Sequence, residues 1–309
     1  MRTTFIDTLM QLASENPKIW LLCGDLGYSV LEPFAAKFSD RFVNVGVAEQ
    51  NMAGLAAGIA LSGNTVFIYS IGNFPTLRCL EQIRNDICYH RADVKVIAVG
   101  GGYAYGSQGY THHALEDVAI MSALPGMEVF VPCDPLETRL ATELIASSQR
   151  PSYLRLSRAG EPVLTAHLPE DIRVPRILKP GRDILLFTSG PIASSSLAAA
   201  HKLTADGLDV GVISVTCLKP LNMGEFDEMI RSARLVVTVE EHILHGGLHA
   251  RISAALAPQN QRPPLLGLAI AEQGEKPSKA GSREFLLEQA GLGPVGIARQ
   301  IKAALADLK

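Results

Sequence analysis

No stretch of the 309-residue chain holds the roughly 20 consecutive apolar residues that cross a bilayer, so no membrane span is expected. There is no cluster of Lys and Arg interleaved with aromatics. The net charge of -3 gives no electrostatic reason to expect nucleic acid or a membrane surface. The five cysteines, Cys23, Cys79, Cys88, Cys133 and Cys217, form no C-x-x-C pair. Metal spacing and a disulfide framework are thereby excluded, and scattered thiols suit a reducing compartment. Met1 to Asn16 carries Asp7 and Glu15 and no apolar core, so no secretory signal is expected and the location read here is cytoplasmic. No Gly-x-Gly-x-x-Gly joins a strand to a helix. The spacing within Gly102 to Gly109 is wrong for one, which argues against a dinucleotide-binding oxidoreductase. No internal repeat is evident.

What is present points to a large buried core. Hydrophobic residues make up 47% and charged residues 19% of a chain long enough for two domains. Apolar runs at 19–22, 42–47, 65–69, 94–100, 127–131 and 152–156 predict strands. They alternate with helical patterns over 3–15, 33–38, 50–62, 77–89 and 135–147, and with a helix starting near residue 113 or 114. Such alternation predicts an α/β fold with a mostly parallel sheet covered on both faces. Residues 159–182 hold Pro162, Pro169, Pro175 and Pro180 with no period and read as a linker or crossover. A second α/β unit follows. The predicted organisation is a domain over 1–160, a linker over 161–182 and a doubly wound domain over 183–309.

Glu49 is the only formal charge between Arg41 and Arg78. It sits at the joint of a short strand and a helix rich in Ala, Leu and Gly. Burying a charge is costly, so this carboxyl needs a dedicated partner, a shifted pKa, or a capping role at its own helix N-terminus. Gly54 and Gly58 give the same helix a small-residue face on which another backbone can approach. Further on, Gly100 to Gly109 has five glycines in ten residues and leads into His112 and His113. A histidine at a helix N-terminus has a lowered pKa and donates as a neutral ring. Leu156-Ser157-Arg158 ends a strand, with Arg155 as a competing cation; an arginine fork suits a phosphate, a carboxylate or a sulfonate. His242, His245 and His249 follow Glu240 and Glu241, but Gly246-Gly247 interrupts them. A structural or interface role is expected there rather than a metal site.

Val45-Gly-Val-Ala-Glu-Gln-Asn-Met-Ala53 resembles the signature of the pyrimidine-binding domain of thiamine-diphosphate enzymes of the transketolase group. Tyr69-Ser-Ile-Gly-Asn-Phe-Pro-Thr-Leu-Arg78, followed by Glu81-Gln-Ile-Arg84, is similar to the family's aromatic stretch. Gly109-Tyr-Thr-His112 resembles its substrate-channel element, Leu156-Ser-Arg158 its phosphate-binding arginine, and Glu240-Glu-His its C-terminal-domain element. The resemblance implies that Glu49 bonds N1′ of the cofactor's aminopyrimidine. It implies that Phe74, or secondarily Tyr69, stacks on that ring, and that Asp25 and Arg78 also serve cofactor binding. His112 then contacts donor oxygens and assists proton transfer, with His113, Gln108 and Arg158 at the substrate. Gln108 stands where most of the family has an acidic residue, and Gly100 is the nearest match to another family histidine, which suggests an unusual sugar.

The same resemblance covers only the family's last two domains. The domain whose Gly-Asp-Gly motif holds Mg²⁺ and the diphosphate is missing, and Gly24-Asp25-Leu26 departs from that motif at Leu26. The resemblance therefore implies the C-terminal subunit of a split transketolase. It would be active as α2β2 with a separate diphosphate-binding chain and would transfer a two-carbon ketol unit between sugars or sugar phosphates. Rival readings are the β subunit of a 2-oxo-acid dehydrogenase, a deoxyxylulose-phosphate-synthase-like enzyme, and a non-catalytic stabilising subunit.

Overall fold

The computed structural model describes residues 1–158, 160–164, 170–260, 262–271 and 279–308. The first half runs α1 (Arg2–Glu15), β1 (Ile19–Cys23), α2 (Glu32–Lys37), β2 (Phe42–Asn44), α3 (Glu49–Leu61) and β3 (Thr65–Ile71). Wide π-helical turns at Phe74–Arg78 and Ile83–Cys88 then flank the short α4 (Leu80–Gln82). β4 (Val94–Val99), α5 (Asp117–Ala123), β5 (Glu128–Phe130), α6 (Pro135–Ser147) and β6 (Ser152–Leu156) complete it. Asp134 caps α6 by accepting from the Glu137 N–H at 2.8 Å, as its place before Pro135 leads one to expect. α5 starts at Asp117, not near residue 113, because 110–112 form a separate 3-10 turn.

The second half runs β7 (Arg176–Lys179), β8 (Ile184–Ser189), α7 (Ala193–Ala205), β9 (Val210–Ser214), β10 (Cys217–Lys219) and α8 (Asp227–Ser232). β11 (Leu235–Ile243), α9 (Leu248–Leu256), β12 (Leu265–Ile270), α10 (Arg283–Gln289) and α11 (Pro294–Asp307) follow. The described strands form a seven-stranded sheet, β10-β5-β6-β4-β3-β1-β2, and a five-stranded one, β12-β11-β8-β9-β7. All pairings are parallel except β10 on β5 and β7 on β9. This is the doubly wound α/β architecture read from the alternation.

Two strands cross the predicted boundaries. β7 lies inside the stretch read as a linker. Pro175 and Pro180 flank it rather than interrupt it, and an edge position tolerates such neighbours. β10 belongs by sequence to the second unit yet adds an antiparallel edge to the first sheet. The core follows suit. Met52, Ala56, Val66, Ile68 and Val96 of the first unit share one apolar cluster with Leu185, Phe187, Ile213 and Leu248 of the second. On the opposite face of the first sheet, Phe5, Leu9, Phe67, Tyr69, Ala141 and Ile145 form another cluster under α1 and α6.

Polar contacts reinforce this junction. Arg155 is buried, with Nε donating to Asp117 at 2.9 Å and Nη2 donating to the carbonyls of Ala114 and Glu241 at 2.6 and 3.1 Å. Glu241 accepts from the Tyr103 N–H at 2.8 Å and pairs with Arg283. The competing cation of the sequence reading is thus a structural one. His242 donates from Nδ1 to the Ile243 carbonyl and accepts at Nε2 from the Ala119 N–H, while His249 shares a hydrogen bond with Thr238.

Candidate active site

Parallel sheets bind ligands beyond the carboxyl ends of their strands. There the candidate residues gather. Glu49 is the first residue of α3, where the helix dipole favours an acid. The buried face of α3 is Glu49, Met52, Ala53, Ala56, Ala57 and Ala60, a helical spacing that seats the helix on the sheet and carries Glu49 inward. Gly54 and Gly58 lie on the other face, and a Cβ at either would meet nothing within 4 Å.

Glu49, a residue 3% exposed, has the dedicated partner its burial demands. Arg78 donates from Nη1 to Oε2 at 3.0 Å, and the Ser70 hydroxyl donates to Oε1 at 3.4 Å. The same guanidinium lies 4.2 Å from the centre of the half-buried Phe74 ring. The His112 ring meets Phe74 at a steep angle, centroids 5.4 Å apart. Glu49, Arg78, Phe74 and His112 therefore form one continuous chain of contacts. His112 shares a 3.0 Å hydrogen bond with the Thr111 hydroxyl through Nδ1. Its pKa is lowered, by burial first and then by His113 and Arg78, so the ring is neutral at pH 7. Asp25 ends up exposed on the same edge, at a positive φ of 55°, bonded to Asn44 and Tyr28.

Other expected residues are not brought into this chain. Tyr69 follows the period-two rule of a strand. Ser70 faces Glu49, so Tyr69 points to the opposite face, where it is 1% exposed and stacked on Phe5 at 6.1 Å. It offers no surface for a cofactor ring there. His113 is buried against Tyr103, with Nε2 on the Gly106 carbonyl at 3.1 Å. Gln108 is exposed on the 3-10 turn Gly106–Gln108. Arg158, exposed beside the Tyr105 ring at 5.4 Å, lines a cavity of about 680 Å³ with Arg2, Ser107, Glu161, Ser194 and Arg283. Among the described residues, Glu49, Phe74 and His112 do not line that cavity.

Asn73 is a positioning residue that the motif reading passed over. Its amide donates to the carbonyls of Thr111 and His113 at 3.2 and 2.8 Å and so ties the histidine loop to the end of β3. Gly72 permits this closeness, since a Cβ there would come within 2.7 Å of the Ala114 Cβ.

Residues 1–161 match the transketolase pyrimidine-binding domain, and residues 175–297 match the transketolase C-terminal domain. The chain belongs to the transketolase family. It has the two-domain make-up of a transketolase C-terminal subunit. It is 32% identical over 306 residues to a putative transketolase C-terminal section of Methanocaldococcus jannaschii, covering 97% of this chain and 95% of that one. It is likewise 32% identical to an apulose-4-phosphate transketolase subunit of Phocaeicola vulgatus, over 86% of each. A 6-deoxy-6-sulfo-D-fructose transketolase subunit of a Clostridium species is 31% identical over 97% of this chain and 92% of its own. Among solved structures, a split-gene transketolase described as an inactive β4 tetramer superposes with a TM-score of 0.86 at 33% identity, covering 99% and 97% of the two chains. Among the described residues, no helix is long and apolar enough to cross a membrane.

Proposed function

We propose that this chain is the pyrimidine-binding half of a two-chain transketolase that depends on thiamine diphosphate and moves a two-carbon ketol unit from a ketose to an aldose. The observation that carries the reading is the buried Glu49 carboxylate linked through Arg78 to the half-buried Phe74 ring, at the carboxyl edge of a parallel sheet. A flat heteroaromatic ring that stacks on an aromatic face and shares a proton through a ring nitrogen suits that pair of groups. Glu49 would hold the aminopyrimidine by its ring nitrogen and Phe74 by its face. When bound, the cofactor supplies the electron sink that lets the bond beside a ketose carbonyl break. Neutral His112 is suited to move a proton at a donor oxygen, and its Thr111 partner orients the ring. Asp25, Gln108 and Arg158 take the outer contacts, Arg158 as an anion holder.

The diphosphate and its Mg²⁺ are assigned to a second chain in an α2β2 assembly. Tyr28, Val47, Leu77 and Tyr110 support this. They are 71%, 73%, 51% and 56% exposed and stand in the segments after β1, β2, β3 and β4, on the edge that carries Glu49. Exposed apolar side chains on four segments of one edge fit a docking face. The Phocaeicola and Clostridium relatives are named for ketoses bearing a phosphate or a sulfonate. A ketose with a terminal oxyanion is accordingly the substrate class proposed here. Cytoplasmic location is part of the reading and rests on five cysteines held as buried free thiols.

The test is reconstitution. The chain alone, and the chain with a Gly-Asp-Gly-containing diphosphate-domain protein of the same organism, are assayed with thiamine diphosphate, Mg²⁺ and a panel of ketose phosphates. Ketol transfer by the mixture only is expected. A mixture that turns over 2-oxo acids and no sugars would replace this reading with the dehydrogenase-type one. A mixture that forms deoxyxylulose phosphate and transfers no ketol unit would replace it with the reading of the deoxyxylulose-phosphate synthases, about 30% identical over 47% of their own length.

A further inference from the structure

Arg78 makes both contacts that a bound aminopyrimidine would need. Its guanidinium donates to Glu49 at 3.0 Å and lies over the Phe74 ring at 4.2 Å. A guanidinium is planar and cationic, carries N–H donors at its rim and stacks on aromatic faces, so it imitates a flat protonated amino-heterocycle. One side chain thus touches both residues that the proposed function gives to the ring.

We propose that Arg78 is an internal placeholder for the cofactor's ring, filling the ring's position in the free chain and leaving it when the cofactor enters. This inference rests on the cofactor reading above. The side chain is free to leave, being 48% exposed while its partner carboxylate is 2% exposed. It also sits at the end of the π-helical turn Phe74–Arg78, and such wide turns are frequent at functional sites. The placeholder spares the free subunit an unpaired buried carboxylate, which would be costly. It also makes cofactor binding a competition. Whatever Arg78 gains from Glu49 and Phe74 is subtracted from the cofactor's affinity, unless the partner chain or the diphosphate gives the displaced guanidinium a new place.

The experiment is a calorimetric titration of the reconstituted two-chain complex with thiamine diphosphate and Mg²⁺, comparing the wild type with Arg78→Met, Arg78→Gln and Arg78→Lys. Gel filtration first establishes that each variant folds and assembles. Met keeps the length without the charge, so Arg78→Met is expected to bind the cofactor about three- to thirtyfold more tightly, the range given by a half-exposed ion pair and a cation–π contact together. Arg78→Gln follows it and stands in if Arg78→Met does not assemble. Arg78→Lys falls between, since Lys can pair with Glu49 but has no flat face. Unchanged or weaker binding by the Met and Gln variants, with the wild type binding, overturns the placeholder and leaves the proposed function standing. Binding by the variants alone supports it. Binding by none overturns both.

Discussion

Arg155 and Asp117 lie 2.9 Å apart, both buried, at the seam between the two sheets. Asp117 opens α5, Arg155 lies one residue before the end of β6, and the Arg155 guanidinium reaches on to the carbonyl of Glu241 in β11. The Tyr153 hydroxyl donates to the same Asp117 oxygen. Removing one partner of such a pair leaves a buried charge uncompensated, so Arg155→Met is expected to cost about 3–5 kcal/mol. Denaturant unfolding of the single variant against Arg155→Met with Asp117→Asn checks this. The double change should recover part of the loss, and a loss below about 1 kcal/mol for the single variant would show that the seam is held by apolar contacts alone.

Tyr69 and Phe74 are five residues apart and stand in different surroundings, Tyr69 against Phe5 and Phe74 against Arg78 and His112. Tyr69→Phe changes only a core residue beside Phe5, so cofactor affinity of the reconstituted complex should not move. Phe74→Ala removes the stacking face and should weaken binding about two- to tenfold, the value of an aromatic pair. Titration of both variants decides it. Weakening by Tyr69→Phe without weakening by Phe74→Ala would reverse the assignment.

The sequence made much of this architecture legible and hid its exceptions. Apolar runs such as 94–99 are strands because both faces of a parallel sheet are buried, and the small-residue helix α3 is placed by its own periodicity. Glu49 stood out as the lone charge in that stretch, and its need for a partner followed from burial alone. β7 and β10 were not readable, being edge strands of four and three residues set by pairing with distant strands. The parity that separates Tyr69 from Ser70 was readable. Which parity faces Glu49 is decided by tertiary packing. Likewise, adjacency cannot tell that His113 turns inward while His112 stays at Phe74.

Two buried groups in β11 titrate against each other. Burial raises Glu240 from 4.5 to about 7 and lowers His242 from 6.5 to about 4. Between pH 4.5 and 6.5 the folded chain holds a proton on Glu240 that the unfolded chain lacks, and it lacks the one that unfolded His242 carries. Proton counts in the two states then match, and these two groups give no net slope of stability with pH. Glu240→Gln removes the offset. Its stability should fall by about 1.4 kcal/mol per pH unit on going from 6.5 down to 4.5, because the unfolded state alone takes up the His242 proton. Unfolding at a series of pH values tests the sign. A Glu240→Gln profile parallel to the wild type would contradict it.

Arg158 is exposed at the mouth of a cavity and carries no ion pair among the described contacts. If it holds a terminal oxyanion, Arg158→Met should raise KM for a ketose phosphate about tenfold to a hundredfold, the worth of charged hydrogen bonds. KM for the unphosphorylated ketose should stay put. Equal effects on both substrates would remove Arg158 from the anion site.

The central claim is that Glu49 serves a bound thiamine ring in a site completed by a second chain. The most direct measurement is ketol transfer by the reconstituted pair with wild-type chain or Glu49→Gln, alongside cofactor titration of each. Gln keeps the shape of the side chain but cannot share a proton as a carboxylate does. The expected result is turnover by the wild-type pair, none by either chain alone, and a loss of about a hundredfold or more with Glu49→Gln. Turnover unaffected by Glu49→Gln, or full turnover by this chain without a partner, would contradict the account.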